Sequence, residues 1–158
     1  MLGPVTQEAL EHIVANMREG DEREIFATRW DMDDGALDRD RLVAEMMHFS
    51  AFSWVARTSD GEPAAVIGAR PLWPGVWGAF AFGTPRWREV ALTLTKHALR
   101  SMTPTLVEDM GAHLAFCYAR ADNTLARRWL ERIGFKTEHI VREFGRDRSD
   151  FAFHARRA

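Results

Sequence analysis

The stretch Ala115-Phe116-Cys117-Tyr118-Ala119-Arg120-Ala121-Asp122-Asn123-Thr124-Leu125-Ala126-Arg127-Arg128-Trp129-Leu130-Glu131-Arg132-Ile133-Gly134-Phe135 decides how this chain folds. Its first five residues form a short apolar run, the pattern of a buried strand. Leu125, Ala126, Trp129, Leu130 and Ile133 then recur at helical spacing with Arg127, Arg128, Glu131 and Arg132 between them, so one face of the helix is apolar and the other charged. Asp122 or Asn123 caps its first amides, Gly134 supplies the left-handed residue that closes many helices, and Phe135 opens the next strand.

On the N-terminal side of this unit, Thr6 caps a helix that carries Leu10, Ile13, Val14 and Met17 on one face, with Gly20 as its expected end and a second short helix from Asp21 to Trp30. The acidic turn Asp31-Met32-Asp33-Asp34-Gly35 has the look of a calcium loop. No ligand ladder or distal glutamate follows at the required spacing, so it reads as a connection and no metal is expected. Leu42, Val43, Met46, Met47 and Phe49 mark a third helix starting near Asp38. From Phe52 to Phe82 the pattern becomes an antiparallel meander: Phe52 to Thr58, Ala64 to Leu72, and Val76 to Phe82, joined by turns rich in Gly and Pro. Thr84-Pro85 starts a long helix burying Val90, Ala91, Leu94, Ala98, Leu99 and Met102. Thr103-Pro104 reads as a second start, giving a short helix closed by Gly111. Beyond the strand 113 to 119 and the Asn123 helix, two strands, 135 to 144 and Asp150 to Arg156, flank a turn containing Gly145. Met1 to Val5 is too short to read as a strand.

The 158 residues suit one domain. The single cysteine excludes an intrachain disulfide, and Cys117 in its apolar run reads as a small core residue. No apolar stretch approaches the roughly 20 residues that span a bilayer, and no leader pattern opens the chain, so a soluble, unsecreted protein is expected. Charge is uneven: residues 1 to 50 hold 12 acidic and 5 basic side chains, net −7, and the rest hold 11 acidic and 16 basic, net +5. The basic charges are scattered over helix faces and the 142 to 148 turn, which is the distribution of a solvated surface and does not indicate nucleic-acid binding. No Ser-His-Asp set, paired-histidine metal spacing or Walker loop is present. Trp54, Trp73, Trp77 and Trp87 gather around the meander and its exit, as either a filled core or an aromatic contact surface.

Read as Asn-x-x-Ala-x-x-Trp-Leu-x-x-x-Gly-Phe, the Asn123 helix resembles the C-terminal signature of the GNAT superfamily of N-acetyltransferases, and the order of elements from about residue 38 matches. The resemblance implies an α+β (α/β) fold: a mixed, mostly antiparallel sheet flanked by helices. It implies one GNAT-like domain over 1–158, with 1–37 as an N-terminal helical part and 38–158 as the core. It also implies acetyl-CoA as cofactor, lying where the strand before the long helix splays from the strand after it. Phe82, Gly83, Thr84, Arg86, Arg88 and Asn123 are the cofactor-binding positions that follow. Two departures stand out. The family's glycine-rich phosphate loop is missing between Phe80 and Arg88, where Gly83 is a lone glycine followed by Thr84-Pro85 and Trp87. The tyrosine that relatives place seven residues after the helix-start asparagine is Leu130 here, which cannot donate a proton. Tyr118 is the only tyrosine. Glu45, His48, Glu89 and His113 are candidate bases that nothing in the sequence separates, so the catalytic residue is unknown at this level.

The Trp129-Leu130 pair, the Phe82-Gly83-Thr84 turn and the short aromatic last strand are similar to GNAT-like proteins of bacteriophages and prophages, including internal virion proteins. This narrower resemblance implies two alternatives. One is a phage- or prophage-type acetyl-CoA-dependent N-acetyltransferase with a degenerate cofactor loop, acting in the cytoplasm of the bacterial host. The other is a non-catalytic virion or morphogenesis component, packaged in the particle, whose partners are other phage structural proteins or itself.

Overall fold

The computed structural model describes residues 1–29, 32–33 and 36–158. The chain runs β1 (Leu2–Pro4), α1 (Gln7–Ala15), α2 (Glu19–Ala27), a small hairpin of β2 (Met32–Asp33) and β3 (Ala36–Leu37), α3 (Arg39–His48), β4 (Ser53–Arg57), β5 (Pro63–Trp73), β6 (Val76–Gly83), α4 (Trp87–His97), β7 (Leu114–Arg120), α5 (Thr124–Arg132), β8 (Lys136–Val141) and β9 (Phe151–Arg157). Among the described residues the main sheet has seven strands in the order β1-β4-β5-β6-β7-β9-β8, and every pairing is antiparallel except β6 with β7. That architecture is the mixed, mostly antiparallel α/β sheet that the family resemblance implies.

The capping residues act as their chemistry requires. Thr6 Oγ1 accepts from the Ala9 amide at 3.2 Å and Asp38 Oδ1 from the Arg41 amide at 2.9 Å. Asn123 Oδ1 accepts from the Ala126 amide at 3.2 Å, and Gly134 closes α5 at φ +94°. Three local expectations are corrected. Gly20 does not end α1, which stops at Ala15 with the Asn16 amide bonded to the His12 carbonyl; Gly20 lies in the first turn of α2, after Arg18. Thr103-Pro104 is not a new start, because both residues keep right-handed helical dihedrals between two wide-turned segments, Ala98–Met102 and Thr105–Asp109. Pro104 has no N–H to give the ladder, and a widened turn absorbs that loss without stopping the helix. Leu2–Pro4 does form an edge strand, with Gly3 opposite Val55, an edge being where a proline is tolerated. Of the acidic 31–35 turn, Asp31, Asp34 and Gly35 lie outside the described residues.

Two apolar layers cover the sheet. α1 and α3 pack Leu10, Ile13, Leu42 and Met46 onto Val55, Val66 and Phe82. The opposite layer buries Val90, Leu94, Met102 and Leu106 with Ile133 and Phe135 against Ile67, Ala69 and Ala115. Trp54 and Trp77 meet the buried Phe52 edge-on at 4.8 and 5.8 Å, so these two tryptophans belong to the packing, whereas Trp73 projects into solvent. No helix among the described residues is long and apolar enough to cross a membrane.

Leu94 has 0% exposure and Leu92, on the same helix, 66%. Leu94→Ala is expected to cost about 2–5 kcal/mol and Leu92→Ala under about 0.5 kcal/mol, read as the shift in urea midpoint.

Candidate active site between the diverging strands

The site follows from how little β6 and β7 pair. Their parallel register covers Val76 with Leu114, Trp77 with Ala115 and Gly78 with Phe116, and then it ends. β6 continues to Gly83 on β5, and β7 continues to Arg120 on β9. From Ala79 to Gly83 and from Cys117 to Arg120 the two strands therefore face each other without a ladder. The middle of β6 is only half-buried from Trp77 to Ala81, although it is a central strand of the sheet. Within the unpaired part of β6, Ala79 and Ala81 carry small side chains.

One helix holds both lips of the gap. The Arg18 amide, at the start of α2, donates to the Gly83 carbonyl at 2.9 Å, and the Gly83 amide donates to Asp21 Oδ2 at 2.8 Å. On the other lip, Glu24 Oε1 accepts from the Arg120 amide at 3.0 Å and from Asn123 Nδ2 at 2.7 Å. Asp21 and Glu24 stand three residues apart, so they share one face of α2 and reach both strands. Burial raises the Asp21 carboxyl above its ordinary range, against the opposing pull of Arg18, whose Nε lies 2.6 Å from Oδ2. Burial likewise lifts Glu24 from 4.5 to about 7, its two hydrogen bonds lower it, and the Asp21 charge adds to the rise. A carboxylate that titrates near neutrality at the edge of a cleft is suited to accept a proton. Cys117 is pushed up to about 12 by burial and then by the charge of Glu24, so its thiol is not a nucleophile at neutral pH.

The structure brings Gly83 and Asn123 together across the gap through α2. Phe82 is buried in the layer beneath α1 and α3. Thr84 is buried, its amide on the Ala64 carbonyl at 2.8 Å and its Oγ1 accepting from the Arg86 amide at 3.2 Å. Arg86 points away from the gap into a cage of carboxylates: Asp60 at 3.0 Å, Glu62 at 2.7 Å and Glu89 at 2.7 Å. Hydrogen bonds from Thr58 and then Arg86 hold Asp60 down at about 2. Arg88 is exposed. Trp87 lies on Gly83, where an added Cβ would meet its ring at 2.9 Å, stacks under the Arg18 guanidinium at 4.3 Å, and meets Trp129 of α5 edge-on at 5.4 Å.

Of the candidate bases, Glu45 pairs with Arg29 and Arg70, Glu89 pairs with Arg86, His48 packs on Phe49, and His113 sits beside Gly75 at the opposite end of β7 from Asn123. Tyr118 lies on an unpaired lip, 37% exposed, stacked on Phe144. Sequence reading passed over Arg18, Asp21 and Glu24. A signal existed: α2 has few apolar residues, and Asp21 falls on its inward stripe, where it is buried with Ala27. Among the described residues no group of three or more His, Cys, Asp or Glu side chains is arranged to hold a metal ion.

No family model matches this sequence, and no curated protein sequence matches it. Solved structures do. A GNAT-family acetyltransferase from Bacillus anthracis superposes with a TM-score of 0.70 at 12% identity, covering 99% of this chain and 93% of that one. Ribosomal-protein-alanine N-acetyltransferase from Brucella melitensis gives 0.70 at 14% identity over 100% and 99%. The fold is the GNAT acyltransferase fold. A spermidine N-acetyltransferase variant from Vibrio cholerae gives 0.69 at 14% over 99% and 94%. At these identities the GNAT likeness fixes the architecture and leaves activity to the residues in the gap.

A carboxyl raised from 4.5 to about 7 binds more protons in the folded state than in the unfolded one between those values, so its contribution to stability is present below pH 4.5 and is lost as pH rises through 7. Glu24→Gln, which keeps an acceptor oxygen, is therefore expected to gain on the parent as pH rises from 5 to 8, by on the order of 2–3 kcal/mol. Urea midpoints of both proteins across that range check it. A constant difference between them would mean that Glu24 does not titrate there.

Proposed function

We propose that this chain is an N-acetyltransferase in which Glu24 accepts the proton of an amine positioned at the lips of the β6–β7 gap. The observation that carries the reading is the Glu24 carboxylate, lifted to about 7 and hydrogen-bonded to the Arg120 amide and to Asn123 beside the unpaired strand ends. Above that value it is ionised and takes a proton from an ammonium, freeing a lone pair for acylation; at a bound thioester the new C–N bond would replace the C–S bond, and the departing thiolate would take its proton from solvent. The positive end of α5, capped by Asn123, faces the same region and favours the ionised form.

Acetyl-CoA, the cofactor implied by the family resemblance, supplies an activated acetyl thioester when bound. Its arm suits the unpaired edge of β6 beyond Gly78, where Ala79 and Ala81 have no β7 partner and would offer backbone groups to an extended chain. Its diphosphate does not fit at Arg86, because three carboxylates already occupy that guanidinium, and the Arg86, Trp87 and Glu89 amides are engaged within their own turn. Arg88 is exposed in the first turn of α4, and Arg18, paired with Asp21, lies over Trp87 beside it. Phe82 and Thr84 shape the lip from beneath, and Gly83 keeps it thin.

Calorimetric titration with acetyl-CoA, CoA and acetyl-pantetheine tests the reading. Binding at micromolar concentration is expected, with under about tenfold preference for CoA over pantetheine, a factor that corresponds to only about 1.4 kcal/mol. Arg86→Ala is expected to leave affinity unchanged. Glu24→Gln is expected to lower turnover of a reactive amine by about 100-fold or more and to remove the rise in rate near pH 7. No binding up to millimolar acetyl-CoA would overturn the reading.

A second reading has its own observation. Trp87 and Trp129 close the space between α4 and α5, with Trp129 Nε1 bonded to Thr95 Oγ1 at 2.9 Å, and the α2 carboxylates hold the strand ends. Helices sealed together by aromatic packing, with the strand ends held from α2, suit a GNAT fold kept as a packing module, the role of a virion or morphogenesis component assembled with phage structural proteins or with copies of itself. The same titration separates the two, since a packing module has no requirement for a thioester.

A further inference from the structure

We propose that the aromatic face of β7, β9 and β8 next to Glu24 is the acceptor subsite, and that it takes a monoamine carrying an aromatic body. This rests on the acetyltransferase reading and narrows its substrate. Alternation along β7 puts Phe116, Tyr118 and Arg120 on one face and Cys117 and Ala119 on the other. Phe153 of β9 stands opposite Tyr118, and His139 of β8 stands opposite Phe153. The rings touch in series: Phe116 to Phe153 at 5.3 Å, Tyr118 to Phe153 at 5.2 Å, and His139 to Phe153 at 4.9 Å. Phe144, from the β8–β9 connection, stacks on Tyr118 at 4.5 Å and 22°.

These rings belong to neither apolar layer of the core. Tyr118 and Phe144 are 37% and 40% exposed. A contiguous aromatic face left open beside a reactive carboxylate is a place for a flat ligand to lie, since offset and edge-on ring contacts contribute beyond the area they bury. Arg120 follows Tyr118 by two residues on the same face, roughly 7 Å along the strand, and its amide holds Glu24. A ring resting on Tyr118 and Phe153 thus delivers an amino group on a short alkyl arm to that carboxylate.

Charge separates this acceptor from a polyamine. Among the described residues, the carboxylates around the face are already paired: Asp147 and Asp122 with Arg120 at 2.8 and 3.2 Å, Glu143 with Arg148 at 2.8 Å, and Glu138 with Arg157 at 2.8 Å. Asp150 accepts the Glu143 amide at 2.9 Å. A second or third ammonium would have to displace an arginine, whereas a single ammonium is served by Glu24.

The test measures direct binding of 2-phenylethylamine, spermidine and an alanyl peptide by calorimetry and by proton NMR saturation transfer, with no acyl donor present. Phenylethylamine is expected to bind tightest, and Tyr118→Ala and Phe144→Ala are expected to weaken it by about tenfold each. Leu125→Ala, an exposed residue on α5, is expected to have no effect. Both ring residues are part-exposed, so truncation spares the core, and circular dichroism of each variant checks this. Tighter binding of spermidine or the peptide would overturn the proposal, as would unchanged binding in both ring variants, or a dimer by sedimentation that Tyr118→Ala dissolves. Amine binding without acetyl-CoA binding would sustain the subsite while sinking the acetyltransferase reading, so the two failures are distinguishable.

Discussion

The grip of α2 on both sides of the β6–β7 gap is the interaction on which the rest of the site depends. Two parallel strands that stop pairing leave N–H and C=O groups in the middle of a sheet, and a buried group of that kind costs free energy comparable to a lost hydrogen bond. Arg18, Asp21 and Glu24 satisfy Gly83 and Arg120 without drawing the strands back into register. At the two lips, Gly83 and Arg120, a helix and not a neighbouring strand completes the hydrogen bonding. The same arrangement forces two carboxylates out of water, and that desolvation lifts Glu24 toward neutrality.

Around that grip the charged groups sort into two kinds. Arg86 with Asp60, Glu62 and Glu89, and Arg120 with Asp122 and Asp147, are ion pairs at or near solvent, which contribute modestly to stability and mainly orient their loops. Asp21 is nearly enclosed, and its partner Arg18 also lies over Trp87, which leans on Trp129. The helix that holds the strands is thereby tied to the aromatic pair between α4 and α5. A change in α2 has a route to both faces of the sheet.

Much of this was legible in the chain. The Asn123 cap and the Gly134 stop are local features, and each performs the expected local task; of the apolar stripe, Trp129, Leu130 and Ile133 pack on the core whereas Leu125 stays exposed. The meander from Ser53 to Gly83 follows from alternation and turn residues in the same way. Gly20 was misread because a glycine between two helices suits the end of one as well as the first turn of the next. Thr103-Pro104 was misread because a widened helical turn has no residue signature. Arg86 carries the right charge at the right helix start, but its side chain is claimed by Asp60 and Glu62, which come from another turn.

The sequence alone determined most of the order of elements, the apolar faces of the helices and the strand-helix unit around Asn123, since periodicity and capping are properties of neighbours along the chain. Only the tertiary structure decided where the sheet opens, which carboxylates enter the opening and which rings stay uncovered. Glu24 meets Asn123 across a sequence separation of 99 residues, and its shifted acidity comes from the water excluded by that meeting. Desolvation and the competition for one arginine among several acids depend on distances that no local pattern encodes.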